Sequence, residues 1–250
     1  MQLTDAVVLV TGATRGIGSA TATELARRGA RVVAVGRDAE AARAVAAATG
    51  GSWVAADLRD PATAEQVVRH AVDTHGRLDA VVANAGVGHA GDIAEMSVGR
   101  VAELVEINLV APLLLARASL PVLRAQHGGA LLFVTSIAGA LGVPGESVYS
   151  ATKAGVEAFA DVLREEVRGD GITVTTVLPG VVDTGFFATR GRAYDRKFPR
   201  PMPPERAAAA IADALAAGTG QVVMPRWLTV PARLRAAAPR LYRTLERAFG

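Results

Sequence analysis

The chain has 250 residues, half of them hydrophobic and only 4% aromatic, which suits one α/β domain with a sheet of small branched residues under alanine-rich helices. It contains no cysteine, and its four histidines (His70, His75, His89, His127) lack metal-ligand spacing on a helix face, so a disulfide framework and a thiolate metal site are excluded and no metal is expected. The net charge is a modest +3; Met1-Gln2-Leu3-Thr4-Asp5 lacks the basic start of a leader, and no apolar run reaches the roughly 20 residues of a membrane span, so a cytoplasmic protein, soluble or peripheral, is expected.

The first predicted strand, 6–10, holds Val7-Val8-Leu9-Val10, an apolar β-branched run of the kind buried in parallel sheets. Thr11-Gly12-Ala13-Thr14-Arg15-Gly16-Ile17-Gly18 follows at once, and a helical pattern then runs to residue 28. A strand, a glycine-rich turn and a helix start form a unit that binds a pyrophosphate. Glycines let the backbone approach closely, and the helix start offers free N–H groups at a positive dipole end. Further strands are predicted at 31–35, 52–56, 80–83, 130–135, 173–178 and 221–224, with helices at 38–48, 61–75, 98–126, 149–166 and 204–217. Such alternation implies a doubly wound parallel sheet of about seven strands with helices on both faces and its site at the strands' carboxyl ends. No repeat or linker divides the chain, so residues 1–250 are read as a single domain.

Tyr149 and Lys153 lie four residues apart within a predicted helix and so share a face. A phenol ordinarily ionises near pKa ~10. An ammonium held close favours the phenolate and brings the tyrosine into range for proton transfer at neutral pH. Lys153 and Lys197 are the only lysines, every other strong base being arginine, and the planar guanidinium does not replace a compact point charge.

With the turn Thr11-Gly-x-x-x-Gly-x-Gly18 and Tyr149-x-x-x-Lys153 both present, the chain resembles the short-chain dehydrogenase/reductase family. The resemblance implies a Rossmann-type fold and extends residue by residue from Thr11 to Thr184. Besides Gly12, Thr14, Arg15, Gly16, Ile17 and Gly18 of the turn, Asp57-Leu58 matches the motif that contacts the adenine ring. Asn84-Ala85-Gly86 matches the motif that supports the sheet and lines the cofactor. Asn108 matches the catalytic asparagine, and Ser136, thirteen residues before Tyr149, the catalytic serine. Pro179-Gly180, with Val182 and Thr184, matches the segment holding the nicotinamide amide. The implied mechanism has Ser136 and Tyr149 bonding a substrate carbonyl while hydride passes from the nicotinamide and Tyr149 donates its proton. Lys153 would lower the tyrosine's pKa and bond the nicotinamide ribose, and Asn108 would place a water linking Lys153 to solvent.

An NAD enzyme of this kind usually carries an acid at the end of the second strand. Here that strand ends Val35-Gly36-Arg37, with no carboxylate in that place. Arg37 and Arg15 can instead converge on a 2′-phosphate through charge-assisted bonds, so NADP is expected. The resemblance implies the same.

Residues 185–203, with Phe186, Phe187, Tyr194 and Phe198, correspond to the family's substrate lid, and their aromatics suit an apolar substrate. Residues 225–250 extend past the commonest family ending. Leu234, Leu241, Leu245 and Phe249 recur there at helical spacing among Arg233, Arg235, Arg240, Arg243 and Arg247, and Pro231 and Pro239 point to two short helices. From residue 184 onward there are 12 basic and 4 acidic residues, a charge that fits packing on the acidic body, a cleft cover or peripheral membrane contact. No nucleic-acid-reading motif is present. Helices 98–126 and 149–168 match the family's dimer-forming pair, so a homodimer or homotetramer is expected. The function read from the sequence is a ketone, aldehyde or secondary-alcohol oxidoreductase. A non-catalytic NADP-binding sensor or scaffold is the second reading.

Overall fold

A computed structural model describes residues 1–195 and 199–249, with side chains to residue 244. Lys197 and Phe198, and the side chains of Leu245, Arg247 and Phe249, lie outside the described residues. Seven strands, β1 (Val7–Thr11), β2 (Arg31–Gly36), β3 (Ser52–Ala55), β4 (Ala80–Ala83), β5 (Gly129–Val134), β6 (Ile172–Pro179) and β7 (Gln221–Met224), form one sheet. Its order is β3-β2-β1-β4-β5-β6-β7 and every pairing is parallel.

Successive side chains of a strand face opposite ways, and both faces are covered here. Val8, Val10, Val32, Ala34, Leu132 and Val134 pack under helices α1 (Gly16–Arg27) and α9 (Pro204–Ala217), where Leu25, Ile211 and Leu215 are fully buried. Val7, Leu9, Val33, Val35, Leu131 and Phe133 pack under α3 (Thr63–His75), α5 (Ala111–Ala125) and α7 (Ser147–Glu166). Burial on both faces explains why these strands read as unbroken apolar runs, and each such leucine or valine contributes about 1.5–3 kcal/mol. Between them, α2 (Ala39–Thr49) follows β2, its start capped by Asp38 accepting from Ala41 N at 3.0 Å.

The stretch expected as one helix at 98–126 is interrupted. After α4 (Val98–Val105) the hydrogen-bond ladder widens to a π-helical turn over Glu106–Val110 before α5 begins. Pro112 has no N–H to give the carbonyl one turn earlier, that of Asn108, so the regular ladder cannot continue there. The short helix α6 (Ile137–Leu141) starts directly after β5, capped by Ser136 accepting from Ala138 N at 3.1 Å. A single turn, α8 (Phe186–Thr189), follows β6. After β7, α10 (Thr229–Ala237) and α11 (Pro239–Phe249) start near the two prolines, as expected. Among the described residues no helix is long and apolar enough to cross a membrane.

Candidate active site

The direction in which successive strands are added reverses between β1, from which β2 and β3 run one way, and β4, from which β5, β6 and β7 run the other. A crevice opens outside the carboxyl ends of strands at such a switch point. The cavity there, about 450 Å³, is lined at one end by Gly12, Thr14, Arg15, Gly16, Ile17 and Arg37 and at the other by Ser136, Tyr149 and Lys153. Asp57, Leu58, Asn84, Ala85, Gly86, Pro179, Gly180, Val182 and Thr184 line it between. Residues spread over some 170 positions of chain thus meet in one space because each ends a strand or starts the next helix.

The dinucleotide expected here fits the shape of the turn. Gly12 (φ +64°) and Gly16 (φ +55°) adopt left-handed backbone, and a Cβ would fall 2.9 Å from Ala85 Cα at Gly12 and 3.1 Å from Thr184 Cγ2 at Gly16. Backbone amides and the start of α1 therefore face the cavity without an intervening side chain. Gly18 does not line it. A Cβ there would fall 2.1 Å from the Gly12 carbonyl oxygen, so this glycine serves close packing of α1 beneath the turn.

At the arginine end, Arg15 and Arg37 are both exposed. The Asp38 carboxylate caps α2. Asp57 is paired with Arg59 at 2.5 Å, whose guanidinium holds its carboxyl down at about 2.

At the other end, α7 turns a stripe inward: Tyr149, Lys153, Val156, Ala160 and Leu163 are buried at spacings of three and four. The Lys153 ammonium donates to the Val134 carbonyl at 3.0 Å and lies 5.8 Å from the centre of the Tyr149 ring. Burial lowers its pKa to about 8, the Glu157 carboxylate pulling the other way. The Tyr149 phenol departs from expectation. Burial pushes its pKa up to about 12, Glu146 adds to the rise, and the bond to the Ser136 hydroxyl and the charge of Arg190 oppose it. The Lys153 ammonium lies over the ring and is engaged with a backbone carbonyl, and loss of water around the phenol outweighs its help. The phenol is therefore held protonated at neutral pH, the form of a proton donor.

Asn108 is also placed otherwise than expected. It lies in the π turn, buried to 1% exposure, and does not line the cavity. Its Oδ1 accepts from Val87 N at 2.9 Å and its Nδ2 donates to Val87 O at 2.8 Å. A Cβ on Gly86 would fall 3.2 Å from Asn108 Oδ1 and 3.5 Å from Lys153 Nζ. The side chain thus holds the loop after β4 against the lysine.

Further residues surround these groups. Phe186 lies over Tyr149 at 5.5 Å between ring centres, and Leu104, Ala138, Val87, Met96, Val143 and Val148 complete an apolar surround. Glu146 and Arg190, 44 residues apart, form a buried ion pair beside it, and Arg190 also lies 4.5 Å from the Phe187 ring centre. From the tail, Leu228 packs beneath Gly180, where a Cβ would fall 2.7 Å from Leu228 Cδ1. Arg235 donates to the Ala140 carbonyl at 2.6 Å, seating α10 against α6.

A strand-end serine, a phenol and an ammonium gathered opposite a glycine-rich nucleotide cradle define a dinucleotide-dependent oxidoreductase of the Rossmann type. The short chain dehydrogenase profile matches residues 6–195, and the chain belongs to the short-chain dehydrogenase/reductase family. It is 34% identical over 228 residues to the ketoacyl reductase HetN of Nostoc, covering 89% of this chain and 79% of that one. Among solved structures, a 3-ketoacyl-(acyl-carrier-protein) reductase from Brucella melitensis complexed with NADH superposes with TM-score 0.83 at 27% identity, covering 89% of this chain and 97% of that chain. A short chain dehydrogenase/reductase from Burkholderia phymatum, in complex with NAD, shares the fold at TM-score 0.87 and 21% identity over 96% of each chain.

Proposed function

We propose that this chain is an NADP(H)-dependent reductase of ketones or aldehydes, with apolar substrates preferred and the reverse alcohol oxidation accessible. The observation that carries the reading is the meeting of Ser136, Tyr149 and Lys153 in the same cavity as Arg15 and Arg37. Similarity to ketoacyl reductases supports the carbonyl, and the apolar surround of Tyr149 supports the substrate character. Arg15 and Arg37, with Asp38 engaged in capping α2, support a 2′-phosphate over a free ribose hydroxyl.

When bound, the nicotinamide supplies the hydride. Gly12, Thr14, Arg15, Gly16, Ile17, Asp57, Leu58, Asn84, Ala85, Gly86, Pro179, Gly180, Val182 and Thr184 would hold the dinucleotide. Ser136 donates a hydrogen bond to the carbonyl oxygen and orients it. Tyr149, protonated, delivers its proton to that oxygen as negative charge develops. Lys153 stabilises the tyrosinate left behind and returns a proton to it. Asn108, whose side chain holds Val87, would place a water that links Lys153 to solvent.

Residues 185–203 act as the substrate lid of a single domain, and residues 225–250 brace the cofactor segment from below through Leu228. The protein works as a homodimer or homotetramer in the cytoplasm. Peripheral membrane contact through the exposed Trp227, Val230 and Arg233 is a secondary role of the same tail.

The test is a coenzyme-oxidation assay with NADPH or NADH and a panel of ketones and aldehydes, with Tyr149→Phe as control. NADPH turnover lost in the variant upholds the reading. Tight NADPH binding without turnover in either direction replaces it with the sensor or scaffold reading.

A further inference from the structure

We propose that Glu157 is a positioning residue that keeps the buried Lys153 ammonium charged and seated at the end of β5. Its importance for turnover rests on the function proposed above, but the coupling does not. Lys153 and Glu157 stand one helical turn apart on the sheet-facing side of α7. Two successive residues at the end of β5 receive them: the Val134 carbonyl accepts from Lys153 at 3.0 Å and the Thr135 hydroxyl donates to Glu157. Glu157 is further bonded by Thr176 of β6 at 3.2 Å and by Gln221 of β7 at 3.0 Å. Neutral donors from three strands thus fix the carboxylate. Burial raises the Glu157 carboxyl above the usual carboxylate range, and these three donors oppose that rise by favouring the ionised form.

Among the described residues neither Lys153 nor Glu157 has an ion-pair partner within 4.0 Å. The other charged groups on this part of α7 are Asp161 and Arg164, which pair with each other at 2.8 Å. Arg164 also donates to the carbonyls of Val174 and Gly220 at 3.0 and 2.9 Å. The groups that β5, β6 and β7 turn toward Glu157 are the uncharged Thr135, Thr176 and Gln221. The field acting on Lys153 to oppose its burial is therefore that of Glu157, and burial alone would leave the lysine increasingly neutral.

Lys153 and Lys197 are the only lysines of the chain, so ¹³C-lysine labelling of the full protein yields two side-chain resonances, assigned with Lys197→Arg. In Glu157→Gln the Lys153 titration midpoint should fall by about one pH unit while that of Lys197 stays in place. A folded Glu157→Gln with an unmoved Lys153 midpoint overturns the proposal. Coupling is reciprocal, so a second measurement avoids any variant at Glu157: with ¹³C-glutamate label, Lys153→Met should raise the Glu157 midpoint by a similar amount. An unmoved Glu157 midpoint there also overturns it. In the reductase assay the alkaline limb of turnover should move to lower pH by the same shift in Glu157→Gln. A moved Lys153 midpoint in a protein whose wild type turns over no carbonyl upholds the coupling and removes only the reductase reading.

Discussion

Thr11 and Asn84 clasp the two strands that flank the switch point. The Thr11 hydroxyl accepts from the amides of Asn84 and Ala85 at 3.0 and 3.1 Å, and Asn84 Nδ2 returns a bond to the Thr11 carbonyl at 2.9 Å. The glycine turn after β1 and the Asn84-Ala85-Gly86 segment after β4 are therefore one construction. Thr11 is 2% exposed, so no solvent replaces a lost partner. Thr11→Val, of nearly equal volume, should cost about 2 kcal/mol by leaving buried amides without an acceptor. Urea unfolding measures this; Thr11→Ser, which keeps the hydroxyl, should lie much closer to wild type, and dinucleotide affinity should follow the same order.

The same clasp makes Gly18 intolerant of a methyl group. A Cβ would stand 2.1 Å from the Gly12 carbonyl oxygen and 2.5 Å from Asn84 Nδ2, and neither atom can give without breaking the turn. Gly18→Ala should destabilise by about 3 kcal/mol and abolish dinucleotide binding, although alanine is the better helix former. A variant of wild-type stability by urea melt that binds NADPH normally would refute this packing.

The strands were legible in the sequence to within a residue or two, because a parallel strand covered on both faces must be apolar throughout. Val7-Val8-Leu9-Val10 leaves no other reading. The glycine turn and Tyr149–Lys153 were legible because each is local, its geometry set by a spacing of four to eight residues. The π turn at Asn108 was not read, since the apolar pattern runs through it and only Pro112 marks the fault. Glu146–Arg190 and the three-strand grip on Glu157 depend on contacts across 19 to 64 residues, which no periodicity records. The tail's two helices were legible from Pro231 and Pro239. Their seat against α6 was not, because an amphipathic stripe does not name what it packs on.

Arg190 and Glu146 tie the segment after β6 to the start of α7 beside Tyr149, each about one-tenth exposed. Removing one charge from such a pair weakens the hold on the other in a dry site. Arg190→Met should cost about 3 kcal/mol and raise the Michaelis constant for carbonyl substrates as the segment carrying Phe186 and Phe187 loses its tie to α7. The double variant Arg190→Met with Glu146→Gln should recover part of that stability, a double-mutant cycle by urea denaturation giving the coupling. Stability of Arg190→Met equal to that of the wild type would show the pair to be dispensable.

Arg15 and Arg37 share the end of the cavity away from Tyr149. If both bond a 2′-phosphate, each charge-assisted contact is worth about 1.5–3 kcal/mol. Arg15→Ala and Arg37→Ala should each weaken NADPH binding about tenfold or more and leave NADH within about twofold. Nucleotide fluorescence titration measures both. Equal losses for the two cofactors would assign the arginines to the pyrophosphate instead.

Burial of Tyr149 and Lys153 gives the protein an unusual dependence of stability on pH. Lys153 ionises at 10.5 ordinarily and at about 8 in the fold, so from pH 8 to 10.5 the unfolded chain binds more protons and stability rises with pH. Tyr149 moves the other way, from 10 to about 12, so between those values the folded chain binds more protons and stability falls. The two windows barely overlap, which leaves a net gain of about 2 kcal/mol between pH 8 and 10, followed by a loss at higher pH. Urea midpoints measured across pH 7.5 to 11.5 should trace that rise and fall. Lys153→Met should flatten the rise, and Tyr149→Phe should remove this residue's share of the fall. A wild-type curve without the rise would place the Lys153 ammonium in contact with solvent.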